Sequence, residues 1–128
     1  MRIWLLVVLL TLGACGEGAR GRPELPESVS PGWKLTSLQA TAVPAEVPAG
    51  GTPECWLATY AGTGAAQLWL CRYNAETGAF DAAQRARSEA QTVKFQEGAY
   101  LVLVKWNDTP KTDLTALIRA VQKTLGKK

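Results

Sequence analysis

Two cysteines on either side of a short glycine-containing turn constrain the fold of this chain more than any other feature of its sequence. Residues 54–60 and 66–73 are rich in β-branched, aromatic and aliphatic side chains, and they flank Gly62-Thr63-Gly64. Such runs around a glycine-containing turn predict a β-hairpin. If the loop has three residues, residues whose numbers add to 126 lie opposite one another, and Cys55 therefore faces Cys71.

This register makes a disulfide possible. Directly opposite residues in a non-hydrogen-bonded pair have Cα atoms about 4.5 Å apart, and a disulfide accepts roughly 4.4 to 6.8 Å. The same register pairs Glu54 with Arg72. A loop of two or four residues would turn the sulfurs to opposite faces of the sheet, and Cys55 and Cys71 would then remain free thiols. We predict the disulfide.

Two more strand regions are predicted. The segment from Trp33 to Val43 has a partly alternating pattern and is interpreted as a strand, followed by a loop rich in proline and glycine. A second hairpin is predicted from residues 92–96 and 99–106, with its turn at Glu97-Gly98. One face is expected to be core and the other, which carries Thr92, Lys94 and Lys105, wetter. The residues assigned to the core face are Val93, Phe95, Tyr100, Val102, Val104 and Trp106.

Two helices are predicted from apolar periodicity. The first begins at Asn74 or Thr77 and runs to about Ala90, with an apolar stripe formed by Ala79, Phe80, Ala83, Ala86 and Ala90. The second begins at Thr109-Pro110 or Thr112-Asp113 and ends at Gly126. Its apolar residues keep helical spacing over the whole length: Leu114, Leu117, Ile118, Val121 and Leu125.

These elements predict an α+β fold. We expect one small domain over residues 33–128, with an antiparallel sheet of four to five strands in the order (β)ββαββα and the two helices packed on one face. Strands grouped in hairpins, with helices between and after them, favour an antiparallel over a parallel sheet.

The N-terminus has the layout of an export signal. Arg2 precedes the apolar run Ile3 to Leu10, which is too short for the roughly 20 residues that a membrane-spanning helix needs. The run closes with Leu12-Gly13-Ala14-Cys15, which resembles the lipobox of bacterial lipoproteins. The alternative is an ordinary signal peptide cut near Ala14 or Ala19, with Cys15 incidental.

The resemblance implies where the mature protein begins and where it is held. In that family residues 1–14 would be removed, and Cys15 would carry a diacylglycerol on its sulfur and usually an acyl chain such as palmitate on its amino group. Two or more acyl chains give a stable membrane anchor. In that family, proteins without an Asp directly after the cysteine usually move to the outer membrane, and this chain has Gly16 at that position. The resemblance therefore implies the outer membrane, facing the periplasm. The alternative is the outer leaflet of the cytoplasmic membrane.

A spacer is predicted between the anchor and the domain. Seven of the 17 residues from Gly16 to Gly32 are glycine or proline, and no apolar period develops there. Such a segment buries too little surface to offset the entropy of ordering it. We therefore interpret residues 15–32 as the lipidated cysteine and a flexible tether.

Composition excludes several classes of function. The formal net charge of +3 is small, and no nucleic-acid partner is expected. The chain contains 0 histidines, which removes Ser-His and Cys-His nucleophile pairs and most mixed-ligand zinc sites. The positions of the Asp and Glu residues are explained by helix caps, turns and solvent-exposed helix faces, without a catalytic role. We expect no catalytic residues, no metal and no cofactor.

The tryptophans are the remaining candidates for a binding surface. Trp33, Trp56, Trp69 and Trp106 could stack a ligand or anchor a partner if they are exposed, and otherwise they belong to the core. The leading hypothesis is a lipid-anchored, non-enzymatic domain that binds or helps to assemble another component of the cell envelope. The alternative is a small-ligand carrier or sensor that uses the tryptophan-bearing sheet.

Overall fold

The computed structural model describes residues 22–30, 32–48, 50–87 and 90–126. Within these ranges the elements are β1 (Ser28–Val29), β2 (Trp33–Thr41), β3 (Glu54–Ala61), β4 (Ala65–Arg72), α1 (Glu76–Arg85), β5 (Thr92–Glu97), β6 (Tyr100–Asn107) and α2 (Lys111–Leu125). The predicted α+β class with an antiparallel sheet and two helices is confirmed. The lipobox and Cys15 lie outside the described residues.

The strands form one antiparallel sheet in the order β1-β2-β3-β4-β6-β5. It contains six strands in the described part of the chain, so the prediction of four to five was too low. The additional strand, β1, lies in the predicted tether. Val29 pairs with Trp33, and Leu25 and Val29 pack against the core. These two apolar residues hold the end of the segment on the sheet.

The central hairpin has the predicted register. Cys55 lies opposite Cys71, Glu54 lies opposite Arg72, and Ala61 lies opposite Ala65. The three-residue loop closes with a hydrogen bond of 3.0 Å from the Gly62 amide to the Gly64 carbonyl. Cys55 and Cys71 form the predicted disulfide.

The two helices lie on opposite faces of the sheet, so the prediction that both pack on one face is wrong. Helix α2 covers what we call the α2 face, where Tyr60, Leu68 and Val104 meet Leu117 and Val121. Helix α1 covers the α1 face. The second core is built from small and apolar residues of the strands and of α1 with its C-cap: Cys55, Cys71, Tyr73, Leu101, Leu103, the helix residues Ala79 and Ala82, and the C-cap residue Ala86.

The physical reason lies in strand β6. Residues 101–104 read Leu-Val-Leu-Val, and all four are at most 1% exposed. Successive side chains of a strand point to opposite faces, so an unbroken apolar run must be covered on both sides. A sheet with such a central strand requires one helix on each face.

Helix α1 corrects three further expectations, which concern its end, its cap and the burial of Phe80. Helix α1 ends at Arg85, and its N-cap is Ala75 without a side-chain cap, so neither Asn74 nor Thr77 caps it. Phe80 was expected in the apolar stripe but is 57% exposed. Helix α2 begins after Pro110 and ends before Gly126 as predicted, and it buries Leu114, Leu117 and Val121.

Candidate functional site

The four tryptophans do not form one surface. Trp33 is 1% exposed, and its indole N–H donates a 2.9 Å hydrogen bond to the main-chain carbonyl of Asp113. Trp56 is also buried, and Trp106 packs against the core of the α2 face. Only Trp69 lies on the α1 face, where it is partly exposed. Three of the four tryptophans therefore lie on the α2 side of the sheet, where Trp33 is part of the core and Trp106 packs against it.

Arg72 caps one end of the α2 face. Its guanidinium lies 4.8 Å from the ring centroid of Trp56 and 2.8 Å from a carboxylate oxygen of Glu54. The hydrogen bond to Glu54 raises the pKa of Arg72. The Glu54 side chain is largely exposed, so this charge pair contributes little stability by itself. The contacts among Arg72, Trp56 and Glu54 are therefore explained by packing, because they cover one end of the α2 face.

A buried carboxylate on the α1 face was missed by the sequence analysis. Glu46 is 8% exposed, and its carboxylate accepts a hydrogen bond from the Lys105 ammonium. That hydrogen bond lowers the pKa of Glu46, and the charges of Lys105 and Arg87 act in the same direction. The Lys105 nitrogen also lies 5.2 Å from the ring centroid of Trp69, within the range of a cation–π interaction.

This cluster holds the loop between β2 and β3 against the sheet. The main chain of the same loop is fixed by two hydrogen bonds from Arg87, at 3.1 Å to the Glu46 carbonyl and 3.3 Å to the Ala45 carbonyl. Val47 is buried in the core of the α1 face. No sequence pattern identified Glu46, because its partner is 59 residues away.

Next to this loop, part of the α1 face is only partly covered. Strand pairing places Gln39, Leu57 and Trp69 in one row across the sheet. It places Ser37, Thr59 and Gln67 in the next. We call these six residues the open half-face. Gln39 and Gln67 are exposed, and the other four are partly buried.

The open half-face has an unusual composition for a sheet surface beside a core. Leu57 is partly exposed and belongs to neither core cluster. Around it lie hydroxyl and amide side chains, which can each donate and accept hydrogen bonds. The neighbouring positive charge of Lys105 is neutralised by its ion pair with Glu46. The six residues are thus uncharged, with one indole and one aliphatic side chain among polar groups.

A shallow cleft of ≈ 280 Å³ adjoins this surface. Its lining includes Thr59, Gln67 and Lys105, together with Trp106 and Asn107 from the last strand. These groups can bind a ligand through hydrogen bonds. Within the described ranges, no group of three or more acidic or cysteine side chains is placed to hold a metal ion.

The disulfide is structural by its position. Cys55 is 5% exposed and Cys71 is 1% exposed, and both lie in the core of the α1 face. Their Cα atoms are 4.1 Å apart. A bridge this deeply buried is poorly accessible to an exchanging thiol, because exchange requires direct attack on a sulfur.

The chain matches no protein-family model, and it has no significant match among curated proteins or solved structures. None of the helices in the described residues is long and apolar enough to cross a membrane.

Proposed function

We propose that this chain is a lipid-anchored protein of the cell envelope and that its non-enzymatic domain binds another envelope component through the open half-face. The single observation that supports the binding role best is the partial exposure of Leu57 beside Trp69 in the middle of the sheet. Exposed apolar groups that cluster on a surface often mark interaction sites. The polar residues around them supply a rim of hydrogen-bonding groups.

The anchoring part of the proposal is supported by the resemblance of Leu12-Gly13-Ala14-Cys15 to a lipobox. With Gly16 after the cysteine, we place the protein at the outer membrane, facing the periplasm. The alternative location is the outer leaflet of the cytoplasmic membrane. In either location the domain would stand close to the membrane surface, because β1 begins 13 residues after Cys15.

Site-specific crosslinking tests the binding role. A photoactivatable amino acid at Gln67 should give a covalent adduct with the partner in intact cells, because Gln67 is an exposed member of the open half-face. The matched control is the same amino acid at Thr115, an exposed position on the outer side of α2. Equal labelling from both positions, or none from Gln67, would contradict the proposal.

A blocking variant tests the same surface independently. Gln39→Arg and Gln67→Arg each place a bulky charge on the open half-face without removing a buried group. Either variant should reduce crosslinking from the other position while the melting temperature stays within a few degrees of the parent. Unchanged crosslinking would show that the partner binds elsewhere.

The second candidate function is small-ligand binding. It is favoured by the ≈ 280 Å³ cleft beside the open half-face, whose volume is just below the roughly 300 Å³ at which ligand sites begin. Native mass spectrometry of the protein purified from its own membrane would distinguish the two functions. A bound small molecule without a crosslinked partner would favour the carrier or sensor.

A further inference from the structure

The solvent side of helix α2 carries positive charge and no negative charge. Two leucines and a valine hold the other side of the helix on the sheet. Five residues of α2 are exposed, three of them basic and two of them threonine: Lys111, Thr112, Thr115, Arg119 and Lys123. We call the three basic residues, Lys111, Arg119 and Lys123, the basic stripe.

The basic stripe has no ion-pair partner among the residues that the structure describes. The salt bridges found in those ranges use the cations Arg72, Arg85 and Lys105, all of them outside α2. Asp113 is the one acidic residue within α2, and its carboxylate accepts a 2.6 Å hydrogen bond from the Thr63 hydroxyl. The charge of the stripe is therefore available to an anion from outside the domain.

The first half of the stripe has room for such an anion. A shallow depression of ≈ 440 Å³ lies here, lined by Lys111, Thr112, Thr115, Ala116 and Arg119. Its two cations are eight residues apart, about 12 Å along the helix axis, and only small side chains lie between them. Lys111 is also the first residue of α2, at the end where the helix dipole is positive. The dipole and both cations favour a phosphate group at this place.

The segment that precedes β1 enters the domain on the α2 side of the sheet. Leu25 packs against the core of the α2 face, and the Tyr60 hydroxyl donates a 2.6 Å hydrogen bond to the Pro26 carbonyl. Strand β1 also contacts α2. Cys15 is seven residues before Arg22, so at most about 25 Å of chain separates them. That distance is close to the length of α2, about 22 Å, so a lipid on Cys15 would keep α2 within reach of the membrane surface.

We propose that the basic stripe docks on the membrane that holds the lipid anchor, by binding the phosphate groups of anionic phospholipids. This inference rests on the proposed anchor, which supplies the proximity. Each Lys or Arg close to an anionic membrane strengthens its attachment about fivefold. The anchor retains the domain, and the stripe orients it. The open half-face lies on the opposite side of the sheet, so docking turns it away from the membrane and toward a partner.

Paramagnetic NMR of the lipidated chain in nanodiscs tests the docking. The discs contain phosphatidylethanolamine, phosphatidylglycerol and a small fraction of lipid with a gadolinium-chelating headgroup. The amide signals of Thr115 and Arg119 should broaden strongly, and that of Gln67 on the open half-face should not. In discs of phosphatidylcholine alone, or at high salt, the broadening at α2 should fall to that of Gln67, because the attraction is lost or screened.

Two results would overturn the proposal, and they are distinguishable. Equal broadening at α2 and Gln67 in anionic discs that retain the chain would refute the docking and leave the anchor intact. An acidic protein would then be the class of partner left for the stripe. A chain that the discs do not retain would refute the anchor, and the docking with it.

Charge variants test whether the stripe itself makes the contact. Arg119→Gln should lower the ratio of docked to undocked protein, measured from the broadening, about fivefold. The matched control is Arg85→Gln, which removes the same charge from an exposed position on α1, across the sheet, and should change nothing at α2. Equal losses in the two variants would show that net charge alone attracts the domain, and would refute the stripe.

The triple variant Lys111→Gln, Arg119→Gln, Lys123→Gln removes the whole stripe. It should lose the lipid-dependent broadening at α2 while the chain stays in the disc. All three side chains are exposed, so the melting temperature should stay within a few degrees of the parent. Undiminished broadening in a folded triple variant would refute the proposal.

Discussion

Cys55 and Cys71 lie directly opposite each other on β3 and β4, with their Cα atoms 4.1 Å apart and both side chains buried. Their bridge joins two central strands whose pairing already follows from the Gly62-Thr63-Gly64 turn. We therefore expect the bridge to add stability to a hairpin whose register is set by the turn.

The first prediction concerns this bridge. The double variant Cys55→Ala, Cys71→Ala should keep the fold but lose on the order of 3 kcal/mol of unfolding free energy, as expected for opening a loop of this length. Denaturant unfolding followed by circular dichroism measures the difference. Mass spectrometry of the non-reduced parent should show two hydrogens fewer than the dithiol. Two alkylatable thiols in the native protein would contradict the prediction.

The second prediction concerns Lys105. Lys105→Met should destabilise the domain by about 1–3 kcal/mol, because it leaves the Glu46 carboxylate buried without its main partner. Adding Glu46→Gln should recover part of that loss, since the second change removes the buried charge. Denaturant unfolding of the two single variants and the double variant measures the effect. A double variant less stable than Lys105→Met alone would contradict this account.

The third prediction concerns acid stability. The hydrogen bond from Lys105 lowers the pKa of Glu46 in the folded protein. A lowered folded-state pKa gives stability that is complete above the ordinary pKa of 4.5 and is lost as the pH falls through the lowered value. Unfolding free energy measured from about pH 6 to 3 should therefore fall more steeply in the parent than in Glu46→Gln. Parallel curves would show that the pKa of Glu46 does not differ between the folded and unfolded states.

The fourth prediction concerns the turn of the central hairpin. A Cβ atom at Gly64 would clash with the Thr109 hydroxyl and lie 2.6 Å from the carbonyl oxygens of Asn107 and Asp108. Gly64→Ala should cost about 1–3 kcal/mol, because backbone must move to admit the methyl group. Gly32→Ala is the matched control, since nothing lies within 4 Å of its added Cβ. Thermal melting of both variants checks the contrast, and equal melting temperatures would contradict it.

The fifth prediction concerns the anchor. Cys15→Ser should abolish fatty-acid labelling and move the protein out of the membrane fraction, or leave it uncleaved, because the lipid would be attached through the Cys15 sulfur. The folded domain should be unaffected. Metabolic labelling with a fatty acid measures the result, and the Cys55→Ala, Cys71→Ala variant serves as the control that keeps Cys15. Continued labelling of Cys15→Ser would show that the lipobox interpretation is wrong.

The sequence by itself determined the local pairings of this protein. The turn residues and the alternation of side chains were enough to predict both hairpins, the register between β3 and β4, and the disulfide. Helix α2 was equally predictable, because its five apolar residues repeat at helical spacing over 15 residues. These features depend on interactions between residues close in the chain, where the geometry of a turn or a helix leaves few choices.

Only the tertiary structure decided how the layers assemble. The placement of α1 and α2 on opposite faces depends on both sides of β6 being apolar, and the run at residues 101–104 was assigned only one buried face from the sequence. The exposure of Phe80 follows from that arrangement, because the α1 core is filled by alanines close to the strands.

The candidate sites were decided in the same way. Glu46 meets Lys105 only after segments that are 59 residues apart in the chain pack together. The open half-face exists because the loop and helix on that side of the sheet leave Leu57 partly uncovered. Burial and partner choice depend on the packing of the whole domain, and no periodicity within one segment encodes them.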